Sequence, residues 1–178
     1  MIRVGSQLAF CSPGSICRRM VVELNDQNMI EGIFSLDEGN VETANTVFYD
    51  GILSSGIVSL KQNVPVENIS DLITGYQYFD FSESHSAFDI KLSDKPLLLD
   101  FGTASPDKIN SLLPCFSKVL PYLSVFDIIA ACTFYPSLLT RQTPGLIEKQ
   151  FTDLILWENV DLIDKRLTAN TRIRKMNL

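Results

Sequence analysis

Few residues of this chain could do chemistry. It holds a single histidine, His85, set between Ser84 and Ser86 with Glu83 and Asp89 nearby. Serine, imidazole and carboxylate are the parts of a nucleophilic relay, in which the ring takes the hydroxyl proton and the carboxylate orients the ring. No G-x-S-x-G elbow or phosphate-cradling glycine loop accompanies them. The same letters make an ordinary solvated loop, and that is the reading adopted. The carboxylates Asp37, Glu38 and Glu83 likewise read as solvated turn residues. The cysteines are Cys11, Cys17, Cys115 and Cys132, and their spacing suits neither a zinc ribbon nor a CxxC redox motif. Cys115 and Cys132 sit in apolar helical runs, as buried thiols do. Cys11 and Cys17 flank a Ser-Pro-Gly-Ser loop and could meet in an oxidising compartment.

The elements that must position these groups are those of a globular chain. Of its 178 residues, 46% are hydrophobic and 20% charged, so a substantial core can form. A net charge of -6 disfavours nucleic acid. The basic cluster Arg172, Arg174 and Lys175 reads as a solvated edge strand. No apolar leader opens the chain, and no run approaches the roughly 18 apolar residues of a membrane helix. A cytoplasmic protein with reduced thiols is expected.

Residues 19–24 and 29–36 are apolar-rich runs about the turn chemistry of residues 25–28, which predicts a β-hairpin. Residues 37–40 form a further turn, 46–49 a strand closed by Asp50 and Gly51, and 57–60 another short apolar run. Residues 66–72 suit a helical turn. Tyr76, Tyr78, Phe79 and Phe81 crowd one segment; as a strand it places the tyrosines and Asp80 on one face and the phenylalanines and Gln77 on the other. All four aromatics could line a ligand cleft, with core packing or an interface the favoured role; the phenylalanine face is the better core candidate, and the tyrosine face could stay half wet. Residues 96–101 form a continuous apolar run, hence a strand buried on both faces. Helices follow over about 106–120 and 124–135. The first has Ser105 as N-cap, Pro106 at its first position, and a stripe of Ile109, Leu112, Leu113, Phe116 and Leu120. Pro114 is expected to kink or split it. The second opens on a capping box of Ser124 and Asp127 and should stop at Pro136. The tail returns to strands at 152–157, 160–162 and 167–173. If both chain ends are β, they can pair.

Three places resemble the metal-dependent amidohydrolase superfamily, in its chlorohydrolase and cytosine or nucleoside deaminase branch. In residues 48–63, Gly56 and Val58 match, and Ile57 nearly matches, the Pro-Gly-[FL]-[VI]-[ND]-x-His-x-His motif that opens the family's barrel. Ser55 stands at the proline, and Lys61 and Asn63 stand at the two histidines. In residues 97–105, Gly102, Thr103 and Ser105 match the Gly-Thr-Asp-Ser end of the last barrel strand, with Ala104 at the catalytic aspartate. Residues 153–157 resemble the Asp-Leu-Val-Leu-Trp strand of the closing β segment, and 160–162 and 166–168 resemble the strands after it.

The resemblance implies an α+β fold: an antiparallel β-sandwich built from residues 1–60 and 140–178, beside a truncated barrel remnant over 61–139 with two or three helices. A closed (β/α)₈ barrel takes roughly 250 residues, and residues 63–96 leave room for about one βα unit. Family members use zinc or iron to make hydroxide from bound water. Here an amine, an amide and a methyl group stand at the ligand positions Lys61, Asn63 and Ala104, so no metal cofactor is expected. The expected function is a non-catalytic binding or regulatory module, paired with itself or with a full-length paralogue. Apolar surface left bare by the missing barrel should be covered by residues 76–81 and 97–99, as a reduced sheet or a homodimer interface. One alternative is a residual hydrolase of non-peptide C–N bonds with ligands recruited from His85, Asp100 and Cys115. Another is an unrelated small-molecule-binding β domain.

Overall fold

The computed structural model describes residues 1–38, 45–82, 93–119, 122–151 and 153–176. Strands β1 (Ile2–Ser12) and β2 (Ser15–Leu24) form an antiparallel hairpin. Gly14 turns it with φ +80, a backbone region that glycine enters without strain. A second tight turn leads into β3 (Ile30–Ser35), antiparallel to β2. The Asn25 side-chain carbonyl accepts the N–H groups of Gln27 (2.9 Å) and Met29 (3.0 Å) and so fixes that turn. Strand β4 (Thr46–Ser55) lies parallel to β1, and β7 (Leu154–Glu158) and β8 (Arg172–Lys175) follow antiparallel, in the order β3-β2-β1-β4-β7-β8. Strands from both chain ends thus share one sheet. Arg174 and Lys175 lie on the edge strand β8, in 2.8 Å ion pairs with Glu158 and Asp153.

The fold is α+β. The described strands make one six-stranded, mostly antiparallel sheet and a separate two-stranded parallel one. At the β3 edge, the Ile30 N–H donates to the Gln150 carbonyl (2.9 Å) and the Lys149 N–H to the Ile30 carbonyl (2.6 Å). The segment that leads into β7 therefore also bonds to the far edge of the sheet. One face gathers Val4, Val22, Leu24, Ile30, Leu53 and Leu156 into a cluster. The other gathers Phe10, Ile52, Ile155, Trp157 and Ile173 against the helices. The two-residue alternation separates Ile52 from Leu53 and Ile155 from Leu156. Trp157 is fully buried, with its indole N–H donated to Ser54 Oγ at 3.0 Å.

The second sheet pairs β5 (Gln77–Asp80) with β6 (Leu97–Asp100) in parallel. All four residues of β6 are buried, as a continuous apolar run requires. Apolar side chains of this segment pack within the chain. Phe81 and Leu99 join the cluster of Leu113, Phe116 and Ile129, and Leu98 packs with Leu60 and Ile69.

Helix α1 (Leu60–Asn63) starts where a short apolar run suggested extended chain, and α2 (Val66–Leu72) follows. Helix α3 (Pro106–Val119) runs through Pro114 without a break. A helical proline costs about 3 kcal/mol, and burial of Ile109, Leu113 and Phe116, at roughly 1.5–3 kcal/mol each, outweighs it. The next helix also passes its expected stop. Helix α4 (Val125–Ile129), with its capping box of Ser124 and Asp127, continues through a π turn (Ala130–Phe134) into α5 (Tyr135–Leu139). Pro136 has no N–H for the Cys132 carbonyl, which instead accepts the Val58 N–H at 3.0 Å. Residues 160–162 and 167–171 are turns and loops rather than strands. The Asp161 carboxylate accepts the N–H groups of Ile163 (3.0 Å) and Asp164 (2.9 Å), which bends the chain. His85, Glu83, Asp89, Leu120 and the second half of the 37–40 turn lie outside the described residues. Among the described residues, no helix is long and apolar enough to cross a membrane.

Candidate functional site

Because β5 and β6 are parallel with Asp80 opposite Asp100, two carboxylates leave the sheet side by side at its carboxyl end. Polar groups gather at such ends because the loops leave there. Helix α1 adds Lys61, whose ammonium pairs with Asp80 Oδ2 at 2.5 Å and donates to Ser82 Oγ at 3.0 Å. The Lys61 backbone N–H donates to Asp100 Oδ2 at 3.1 Å. Asp100 so serves the open N-terminus of α1, where Ser59 forms no side-chain cap.

Asp100 is buried and engages two further donors, the Tyr78 hydroxyl at 3.3 Å and the Gly102 N–H at 2.8 Å. Asp80 accepts the Ser82 N–H at 2.9 Å and the Ser82 hydroxyl at 2.6 Å. Lys108 closes the group by donating to the Ser82 carbonyl at 2.8 Å. Gly102, at φ +58, passes so close to Ser82 that a Cβ would stand 2.6 Å from the serine Cβ. The result is a satisfied network of two ammonium groups, two carboxylates, a phenol and a hydroxyl.

Its electrostatics hold protons in place. Partial burial works to raise the Asp80 carboxyl, but hydrogen bonds from Lys61 and Ser82 outweigh it and hold the group below the ordinary carboxylate range. Burial first, and then the Asp100 and Asp80 charges, raise the Tyr78 phenol. At neutral pH Asp80 stays ionised and Tyr78 stays protonated, so neither is poised for general acid–base exchange. Ser82 Oγ rests between an ammonium and a carboxylate. The paired Lys61 has no free lone pair with which to activate it.

The described residues of this network do not fit zinc or iron. The Lys61 ammonium lies against one carboxylate, and both carboxylates are committed to donors. Among the described residues, no group of three or more His, Cys, Asp and Glu stands where it could hold a metal ion. Asn63 ends α1, where its amide donates to the Ser59 carbonyl (2.7 Å) and accepts from Gln142 (3.0 Å). Ala104 follows β6, with its N–H on the Phe101 carbonyl (3.0 Å) and its methyl against the apolar cluster. Cys115 is exposed on α3, whereas Asp100 is buried with its oxygens engaged.

The aromatic segment divides as alternation requires. Tyr76 and Tyr78 pack around Leu60, Ile69 and Leu98, with the Tyr76 ring 5.6 Å from Tyr135. Phe79 and Phe81 face the larger core, where Phe81 lies 5.1 Å from Phe116. Lys61 and Asp100 were legible as positions of interest. Ser82 and Lys108 were not, because no local pattern marks residues that meet only across the fold. A separate open cavity of 600 Å³ is lined by Ser55, Gly56, Arg141, Lys149, Phe151 and Asp153, among others.

No protein-family model matches the chain, and no curated protein matches it. Among solved structures it is similar to N-acetyl-D-glucosamine-6-phosphate deacetylase from Mycobacterium smegmatis, at 9% identity and a TM-score of 0.26, over 80% of this chain and 38% of that one. A point variant of that deacetylase, in complex with N-acetyl-D-glucosamine-6-phosphate, gives the same identity and TM-score over 80% and 37%. The chain spans well under half the length of these proteins.

Proposed function

We propose that this chain is a degenerate amidohydrolase-like module that binds or regulates without catalysing. The observation that carries this reading is the network of Lys61, Asp80, Ser82 and Asp100. At a position where the resemblance implies a metal-binding histidine, an ammonium is paired at 2.5 Å. That arrangement stabilises the fold and leaves no nucleophile, base or ligand free among its members. In this reading residues 1–60 and 140–178 form one β unit, and 61–139 are the remnant of the first and last barrel units. Pairing of β4 with β7 supports it. The partner is a second copy or a full-length paralogue, in the cytoplasm.

The test is the metal content of the untagged chain by elemental mass spectrometry, after separate incubation with zinc, iron and manganese. A negligible content is expected, with no hydrolysis of simple amides or cytosine-like substrates. About one equivalent of metal, removable by a chelator and accompanied by hydrolysis, would overturn the proposal.

A further inference from the structure

We propose that Cys11 and Cys17 form a thiol–disulfide exchange site that takes low-molecular-weight disulfides and stores their oxidising equivalents as a reversible hairpin disulfide. The two Sγ atoms lie 3.4 Å apart at the far end of the β1–β2 hairpin. The register explains the meeting. Ala9 pairs with Cys17 and Phe10 with Ile16, then the ladder shifts before Ser12 and Ser15. Cys11 is the extra residue of that irregularity, and a bulge of this kind re-aims a side chain. Its backbone is also held from outside the hairpin, because Gly145 packs so closely that any Cβ there would collide with the Cys11 carbonyl. Both thiols are half-buried and so remain within reach of a small reagent.

The chemistry has a defined order. Burial, then the hydrogen bond and charge of Cys17, push the Cys11 thiol up to about 12, which leaves the Cys17 sulfur as the one that attacks first. Its sulfur attacks the small disulfide RSSR; the S–S bond breaks, a Cys17–S–S–R bond forms, and one RS⁻ leaves. Capping removes the charge and hydrogen bond by which Cys17 raised its neighbour. Cys11 then gives its proton to solvent, and its thiolate attacks Cys17 Sγ. The Cys11–Cys17 bond forms and the second RS⁻ leaves. Two protein thiols are oxidised, one small disulfide is reduced to two thiols, and both RS⁻ take up protons. An external thiol runs the sequence backwards.

The chain carries its own controls, since Cys115 is exposed and Cys132 is buried. The native chain would be incubated with oxidised glutathione, quenched by alkylation at intervals and mapped by peptide mass spectrometry. The expected result is a Cys11–Cys17 disulfide with no lasting glutathione adduct at either residue, a mixed disulfide at Cys115 and an unmodified Cys132. In Cys11→Ser the adduct should persist at Cys17, and in neither single variant should an internal disulfide form. In urea the closure step should slow about tenfold or more, because the two sulfurs are no longer held together. Cys11 and Cys17 remaining alkylatable while Cys115 reacts would overturn the proposal, as would equal closure rates in native and unfolded chain. Mapping of the unsubstituted chain decides the matter even where a variant fails to fold.

Discussion

The six-stranded sheet and the β5–β6 pair solve the same burial problem by different means. In the sheet, the second half of β4 and most of β7 are buried, and position is set by alternation and by a ladder that runs through six strands. Buried polar contacts from Trp157 to Ser54 and from Ser54 to the Ser55 carbonyl sit in that apolar setting. The parallel pair has only four residues per strand, too few for its backbone ladder to fix it. Its carboxyl end is instead tied by side chains from α1, α3 and both strands, around Asp80 and Asp100. The difference teaches where this fold depends on volume and where it depends on charge.

Substitutions at the centre of each region sharpen that contrast. Trp157→Ala empties the largest fully buried side chain of the sheet and leaves Ser54 without its donor. A loss of about 4 kcal/mol in unfolding free energy is expected by denaturant titration. A loss below about 1 kcal/mol would mean that the sheet does not depend on volume there. Asp100→Ala strands the Lys61 N–H, the Tyr78 hydroxyl and the Gly102 N–H together, and about 3 kcal/mol is expected. If the cost fell within measurement error, the network would be decoration rather than a tie. Lys61→Met should cost about 1 kcal/mol at neutral pH, since the pair is only half-buried.

The Lys61 effect carries a sign. The Asp80 carboxyl is held below its unfolded value, so its contribution is present above the ordinary aspartate pKa of about 4. It is lost as pH falls through the depressed folded value. The stability gap between the native chain and Lys61→Met should therefore close on acidification. A gap constant down to the acid limit would show that Lys61 acts through the packing of its stem alone.

Much of the apolar plan was legible. The hairpin of β2 and β3, the buried β6, the strand ending in Trp157 and the helix from Pro106 follow from patterning that tertiary contacts do not override. β1 is a fainter case, because Gly5, Ser6 and Gln7 break its apolar alternation, and the buried Ser6 hydroxyl finds its acceptor in the Leu8 carbonyl only once folded. Pro136 misled because its helix-breaking effect is cancelled by Val58, which is distant in sequence. The strand expected at 160–162 and the first part of that expected at 167–173 yield to local hydrogen bonds accepted by the Asp161 carboxylate and donated by the Thr168 hydroxyl, while residues 172–173 do lie in β8. In the candidate site, Lys61, Tyr78 and Asp100 could be singled out individually. Their convergence with Asp80, Ser82 and Lys108 depends on the parallel register of two short strands, which one-dimensional patterning does not encode.

The position of β4 has a consequence for synthesis on the ribosome. Its inner neighbour β1 is made before it, but its outer neighbour β7 emerges roughly a hundred residues later, several seconds at ordinary elongation rates. During that interval Ile52 and Leu53, buried in the finished chain, border an unfilled backbone edge. The nascent chain therefore passes through a stage in which the buried half of β4 is a template for any extended segment nearby, and holding factors that bind such segments would act between the emergence of β4 and that of Trp157.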